Sequence, residues 1–238
     1  MNWIVLRKEE LDPTKTVRFS DHRHHHIKTI LKKKQGDSVQ VVLAEEGNYL
    51  FKILQITETE TIATEEVTLE KTFDPISIHC FFSLPRPQTA KKIFHLAGAY
   101  GVKSLSFFAT ETKNKEYWTS PIFNKEWKEW IDTGLSQTGN YLLPDVHFGR
   151  YENWKEYLKS WKANVIVLDR MGINDFKNQN ELNIKPKDDL FVFGSESGWK
   201  ENDYHHFREN KYLTISLGKI NLRTEFAFAS LLYDLFKS

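Results

Sequence analysis

Phe191-Val192-Phe193-Gly194-Ser195-Glu196-Ser197-Gly198, followed after a polar segment by Ile215-Ser216-Leu217-Gly218-Lys219-Ile220-Asn221-Leu222-Arg223-Thr224-Glu225-Phe226-Ala227, is the stretch that decides the fold of this chain. Each half reads as an apolar strand, a loop carrying glycine, and the start of a helix. Such units in series build an α/β sheet, and open sheets of this kind bind ligands outside the carboxyl ends of their strands. Glycines in those loops let backbone N–H and C=O groups come close to a ligand. Neither loop has the G-x-G-x-x-G or G-x-x-x-x-G-K-[ST] spacing, so the usual nucleotide-phosphate fingerprints are not indicated.

Outward from these loops, strands and helices alternate back to Pro75. Buried strands are expected over 76–83, 105–109, 165–168, 190–193 and 212–217. A helix over 88–100 places Ala90, Ile93, Phe94, Ala97 and Tyr100 at helical spacing, and Gly101 stops it. Trp127, Trp130, Ile131 and Leu135 give another helix an apolar face. A helix over 152–162 turns Trp154, Tyr157, Leu158 and Trp161 inward. Phe226, Ala227, Ala229, Ser230, Leu231 and Tyr233 begin a closing apolar helix. The alternation predicts a mainly parallel sheet covered by helices.

The first 72 residues differ in character and read mostly as strands. Residues 37–43 and 49–56 flank the turn signal Glu45-Glu46-Gly47-Asn48, which predicts a hairpin, and a Thr-rich strand follows near 61–69. Residues 21–34 read as a short helix capped by Ser20 or Asp21, its Lys-rich last turn suiting the negative end of the helix dipole.

Over 238 residues the chain is 40% apolar and 27% charged, with a net charge of +1, an ordinary soluble composition. The heavy aromatic load is read mainly as core, with some rings available for base stacking. Cys80, the only cysteine, lies in an apolar run and reads as a buried inert thiol, so an intrachain disulfide or a cysteine zinc site is excluded. There is no long apolar run and no N-terminal apolar leader, so a cytoplasmic protein away from the membrane is expected. Charge is unevenly placed: Lys15, Arg18, Arg23, Lys28, Lys32, Lys33 and Lys34 crowd one block, and seven glutamates between Glu45 and Glu70 crowd the next. That asymmetry reads either as a face for an anionic partner or as a solvated flank. His22, His24, His25 and His26 lack acidic or cysteine partners at zinc spacing, and no metal site is expected. His205-His206 reads as surface. A serine hydrolase is not supported, because no G-x-S-x-G elbow is present.

The two C-terminal loops resemble the cofactor segments of the SPOUT methyltransferases, and within them the enzymes that methylate a uridine ring nitrogen of 16S ribosomal RNA (RsmE-type). Gly194, Glu196 and Gly198 match that family's Gly-Pro-Glu-Gly-Gly loop. Leu217, Gly218, Leu222, Arg223, Thr224, Glu225 and Ala227 match its Leu-Gly…Leu-Arg-Thr-Glu-Thr-Ala segment. Ser195 replaces Pro, Ser197 replaces Gly, and Phe226 replaces Thr. Further upstream, Gln137, Gly139, Gly101 and Val102 agree, whereas Ser136 and Asn140 replace a family Glu and Arg. His26-Ile27-x-x-Ile30-Leu31-x-x-x-x-Gly36-Asp37 resembles the family's N-terminal PUA-like domain.

The resemblance implies a small β-barrel-like, PUA-like RNA-binding domain over 1–72 and a trefoil-knotted α/β SPOUT methyltransferase domain over 73–238. It implies S-adenosylmethionine as cofactor, ribosomal RNA or the small ribosomal subunit as partner, and a homodimer. Cofactor contacts fall on Leu168, Gly194, Glu196, Gly198, Leu217, Gly218 and Leu222. Arg18, Arg23, Lys28, Lys32, Lys33 and Lys34 fall to RNA. Arg223 is expected to stabilise the anion left when the uracil nitrogen loses its proton, or to grip a phosphate. Glu225 accepts that proton or orients Arg223. Read without the resemblance, Thr224 and Glu225 are ordinary first-turn residues, and Glu196 is a charge suited to a helix N-terminus. The departures at Ser136, Asn140, Ser195 and Phe226 also fit a second reading, a diverged relative that binds RNA without transferring a methyl group. A small-molecule enzyme using the same crevice is the third.

Overall fold

The computed structural model describes residues 3–71, 74–172, 174–175 and 183–237. Among the described residues, five strands form the N-terminal sheet: β1 (Ile4–Leu6), β2 (Thr16–Phe19), β3 (Ser38–Leu43), β4 (Gly47–Ile56) and β5 (Thr61–Leu69), in the order β1-β3-β4-β5-β2. All pairings are antiparallel except β1 with β3. The expected β3–β4 hairpin forms, with Glu45 in the left-handed region (φ 67°) at its turn. Alternating Val39, Val41, Phe51, Ile53 and Ala63 bury one face against Phe19 and Ile27. Register shifts between Leu50 and Phe51 and between Ile53 and Gln55 interrupt the β4–β5 ladder, the kind of irregularity that bends a strand.

The helix expected over 21–34 is shorter. Asp21 caps α1 (His22–His25) by accepting a 2.8 Å bond from the Arg23 amide, and a π-helical turn, His26–Ile30, completes it. Lys32 lies beyond it with φ 52°, so the lysines form a turn rather than the last helical turn. β1 and β2 are three and four residues long, too short to show periodicity in the sequence.

Seven described strands form the second sheet, all parallel: β6 (His79–Ser83), β7 (Ser104–Phe108), β8 (Asp145–Gly149), β9 (Val165–Leu168), β10 (Asn174–Asp175), β11 (Leu190–Phe193) and β12 (Leu213–Ser216). Their order is β10-β12-β9-β11-β6-β7-β8. Both faces are covered, so the central strands are apolar throughout rather than alternating. Cys80, Phe82, Ile166, Leu168, Phe191 and Phe193 pack into one core with α2 (Pro87–Tyr100), α3 (Trp127–Thr138) and α6 (Thr224–Lys237). Phe81, Val165, Val167, Leu190 and Val192 pack into another with α4 (Trp154–Ser160) and α5 (Glu201–Glu209). Burial pushes the Cys80 thiol up, in keeping with an inert group.

Several boundaries differ from the sequence reading. β6 begins at His79 rather than Ile76, because Ser77 takes a positive φ of 55° and breaks the ladder upstream. α4 spans Trp154–Ser160, two residues shorter at each end than expected. β8 carries half-exposed residues and gives no apolar signal. On α6 the inward residues are Phe228, Leu231 and Leu232; Phe226 and Tyr233 are 53% and 56% exposed. His206 is buried against Trp154 and Tyr212, while His205 alone of that pair is at the surface.

The two sheets are stitched together by the Trp3 amide donating to the Ser136 carbonyl (3.0 Å), the Glu45 amide to Tyr141 (2.7 Å), and the Asn48 amide side chain to Gly139 (2.8 Å). Arg7 reaches Asp132 on α3 at 2.5 Å.

Candidate functional site

β12, β9, β11 and β6 are neighbours and parallel, so their carboxyl ends meet at one edge. The segments leaving that edge enclose an open cleft of about 1120 Å³. Its walls include Leu168 at the end of β9 and Asp169 after it, residues 194–199 after β11, Leu217 and Gly218 after β12, and Leu222 to Glu225 at the start of α6. Leu168, Gly194, Glu196, Gly198, Leu217, Gly218, Leu222, Arg223 and Glu225 therefore all line the same cavity, although 57 residues of sequence number separate 168 from 225.

The two glycine loops are joined directly. Thr224 Oγ1, in the first turn of α6, donates to the Gly194 carbonyl at 3.2 Å. Within the first loop the Gly198 amide closes a turn on the Ser195 carbonyl (2.9 Å). In the second, Ser216 Oγ accepts from the Gly218 amide (3.1 Å) and donates to the Gly218 carbonyl (2.9 Å). Gly198 (φ 72°) and Gly218 (φ 122°) hold conformations that L side chains rarely adopt, and the space a Cβ would occupy at each is open. Both stretches of backbone are thus exposed to whatever fills the cleft.

Charges in the cleft are arranged in pairs. Glu225 is 4% exposed, and its Oε1 accepts from Lys92 Nζ on α2 at 3.0 Å. Glu196 accepts from the Arg86 amide at 3.1 Å, with the Arg86 guanidinium 4.0 Å away. Arg223 and Arg170 are exposed cleft residues that make no ion pair with the described residues. Tyr204 donates to Asp169 at 2.8 Å; burial and that bond push its pKa up to about 12, so the phenol stays protonated at neutral pH and acts as a donor. The cleft joins an apolar lining (Leu168, Phe193, Leu217, Leu222), exposed backbone and two arginines without an ion pair among the described residues. That combination suits a flat, partly polar ligand with an anionic neighbour.

Lys92, Arg86, Asp169 and Tyr204 were not legible as site residues. Nothing in sequence spacing connects position 92 on α2 with 225 on α6; only the packing of those helices does. Among the described residues the side-chain bond of Glu225 is to Lys92.

The six basic residues assigned to RNA lie on the N-terminal sheet and its flank, outside the cleft. Arg18 pairs with Glu60 (2.6 Å), Arg23 with Glu10 (2.5 Å) and Asp21 (2.8 Å), and Lys28 with Glu58 (2.9 Å). Antiparallel pairing of β2 with β5 brings part of the basic block against the acidic one. Lys32, Lys33 and Lys34 form no ion pair with the described residues. His24 is buried and shares hydrogen bonds with Thr61 Oγ1 (2.9 Å) and the Glu58 carbonyl (3.2 Å), a core position. Among the described residues no group of three or more His, Cys, Asp or Glu could hold a metal ion, and no helix is long and apolar enough to cross a membrane.

Comparison with known proteins gives a consistent set. Residues 72–234 match the family described as RNA methyltransferase domain. The ribosomal RNA small subunit methyltransferase E of Treponema pallidum is 23% identical over 234 residues, covering 95% of this chain and 87% of that protein. Ribosomal RNA small subunit methyltransferase E 1 of Borreliella burgdorferi is also 23% identical, over 213 residues, 89% of this chain and 88% of that one. Among solved structures, the Neisseria gonorrhoeae ribosomal RNA small subunit methyltransferase E bound to S-adenosyl methionine superposes with a TM-score of 0.71 at 16% identity, over 99% of this chain and 96% of the other.

Proposed function

This chain belongs to the family of RNA methyltransferase domains, and from that premise we propose that it methylates a uridine ring nitrogen in small-subunit ribosomal RNA with S-adenosylmethionine as donor. One observation carries the reading: two glycine loops from different strands, tied by Thr224 and Gly194, line one cleft. The small-subunit substrate follows the relatives' names; the uridine nitrogen follows the loop resemblance.

The cleft suits the cofactor. Leu168, Leu217 and Leu222 offer an apolar slot for an adenine ring, and the backbone at Gly194, Gly198 and Gly218 offers hydrogen bonds to its edge and to a ribose. When bound, the cofactor supplies a methyl group already activated on a sulfonium. The chain has to position the nucleophile and favour its ionised form. Arg223, exposed in the cleft and without an ion pair among the described residues, is the group that stabilises negative charge on the uracil. Burial and the bond to Lys92 favour Glu225 as the support of the first turn of α6, which carries Arg223 at its lip. Lys32, Lys33 and Lys34, with Arg18, Arg23 and Lys28 beside them, hold the phosphate backbone.

The same reading includes a PUA-like domain over 1–72 and a SPOUT domain over 73–238, with the boundary at residues 72 and 73 lying outside the described residues. It includes a trefoil knot, which the loop resemblance implies; β12 crosses β9 to pair on its edge away from β11. It includes a cytoplasmic location and a homodimer, the dimer supported by exposed Phe226, Tyr233 and Phe236 along one side of α6. Transfer of labelled methyl to unmethylated small ribosomal subunits tests the activity. The expected result is incorporation at a uridine by wild type, lost in Arg223→Ala. Cofactor and RNA binding without incorporation would favour the binding-module reading.

A further inference from the structure

Against the Gly194–Gly198 loop lies a carboxylate that neither the sequence reading nor the family comparison singles out. Glu111 is 7% exposed and follows β7. Its Oε1 accepts from Ser195 Oγ at 2.5 Å and from Ser197 Oγ, and the two hydroxyls are themselves 2.9 Å apart. Lys200 Nζ stands 3.9 Å from its Oε2. We propose that Glu111 is a positioning residue for the cofactor loop, setting its shape through the Ser195 and Ser197 hydroxyls.

Ser195 and Ser197 both bond Glu111, while Glu196 between them, in the turn that the Gly198 amide closes on the Ser195 carbonyl, accepts from the Arg86 amide at 3.1 Å. One carboxylate thus ties down both serines of a turn whose residues line the cleft. Glu111 is itself held by rigid structure: its carbonyl accepts from the Asn114 amide (3.2 Å), and the buried Asn114 side chain donates to the Leu84 carbonyl (3.4 Å) just past β6. Hydrogen bonds to a charged acceptor in a buried site are among the stronger ones, and they fix geometry as well as adding energy. In this chain serines occupy the two positions where the resembled loop has Pro and Gly. The backbone restraint a proline supplies is absent here, and the side-chain bonds to Glu111 supply one instead.

This inference rests on the reading that the cleft takes S-adenosylmethionine, and calorimetry on the full chain separates the two. Wild type is expected to bind S-adenosylmethionine, and Glu111→Ala to bind it about tenfold more weakly, the loss that follows when the two loop hydroxyls lose their common acceptor. Glu111→Gln, which keeps an acceptor oxygen, is expected to restore most of that affinity. Ser195→Ala/Ser197→Ala should reproduce the Glu111→Ala loss, and the triple variant should be no worse, as expected for one coupled unit. RNA affinity, read by fluorescence anisotropy, should be unchanged throughout. Should Glu111→Ala fail to fold, the serine double variant carries the test alone. Wild-type binding with no loss in the serine double variant overturns the positioning role; no binding by wild type overturns the cofactor reading and this role with it.

Discussion

At the scale of the residue, Lys92 and Glu225 show how an acidic position is fixed by a partner no motif announces. Removing Lys92 leaves a buried carboxylate without its ammonium, so Lys92→Ala is expected to lower stability by about 1–3 kcal/mol, read by denaturant unfolding. Glu225→Gln/Lys92→Ala should recover part of it, because no uncompensated charge remains. The two roles open to Glu225 part in kinetics. As a support, Glu225→Gln should retain kcat within about tenfold and show no new pH dependence, whereas loss of a general base costs about 10²-fold or more. Arg223→Ala should lower kcat by about 10²-fold with cofactor affinity unchanged, the pattern for a group acting on developing charge. The loop residues were legible because glycine and apolar positions there are set locally. Lys92, Asp169 and Glu111 were not, because their roles arise from elements far apart in sequence.

Elements were legible in proportion to how regular their burial is. Val165–Leu168 and Leu190–Phe193 are buried at every position, and the sequence reads them to the residue. β8, half-exposed, and the two-residue β10 give no such signal. The helix at 21–34 was read too long because its lysines look like a favourable last turn, yet Lys32 has already left the helix. Phe226 and Tyr233 mark the apolar closing helix in the sequence, whereas the phase of α6 is set by Phe228, Leu231 and Leu232. The α2–α3 crossing is equally phase-dependent: a Cβ at Gly98 would strike the Ile131 carbonyl, and one at Gly134 the His95 carbonyl. Gly98→Ala is expected to part these helices and cost about 1–3 kcal/mol in stability. Since α2 carries Lys92, weaker cofactor binding by calorimetry should accompany the lower Tm.

At the scale of the molecule, charges that looked like a ligand-facing block in sequence are partly spent within the fold. Arg23 bridges Glu10 and Asp21. Burial opposes ionisation of Glu10, but bonds from Arg23 and the Arg7 amide outweigh it and hold its carboxyl below the usual 4.5. Asp21 is likewise held below 3.8, against burial, by Arg23. Because these folded-state values are depressed, their stabilisation is present above the unfolded values and is lost as pH falls through the folded ones. Burial instead raises Asp132 despite Arg7, so its contribution runs the opposite way. Arg23→Met should therefore flatten the acid limb of a Tm–pH profile below about pH 4.5 and leave the neutral region lowered. Exposed Phe226, Tyr233 and Phe236 make a second molecular-scale prediction: Tyr233→Lys should shift sedimentation from dimer towards monomer.

The central claim is that backbone after β11 and backbone after β12 form a single donor pocket. Titration of S-adenosylmethionine into wild type, Gly198→Ala and Gly218→Ala tests it most directly, since a Cβ at either glycine would enter open cleft on a strained backbone. The account predicts one site per chain, weakened about tenfold by either substitution. No heat with wild type, or affinity that depends on one loop and ignores the other, would contradict it.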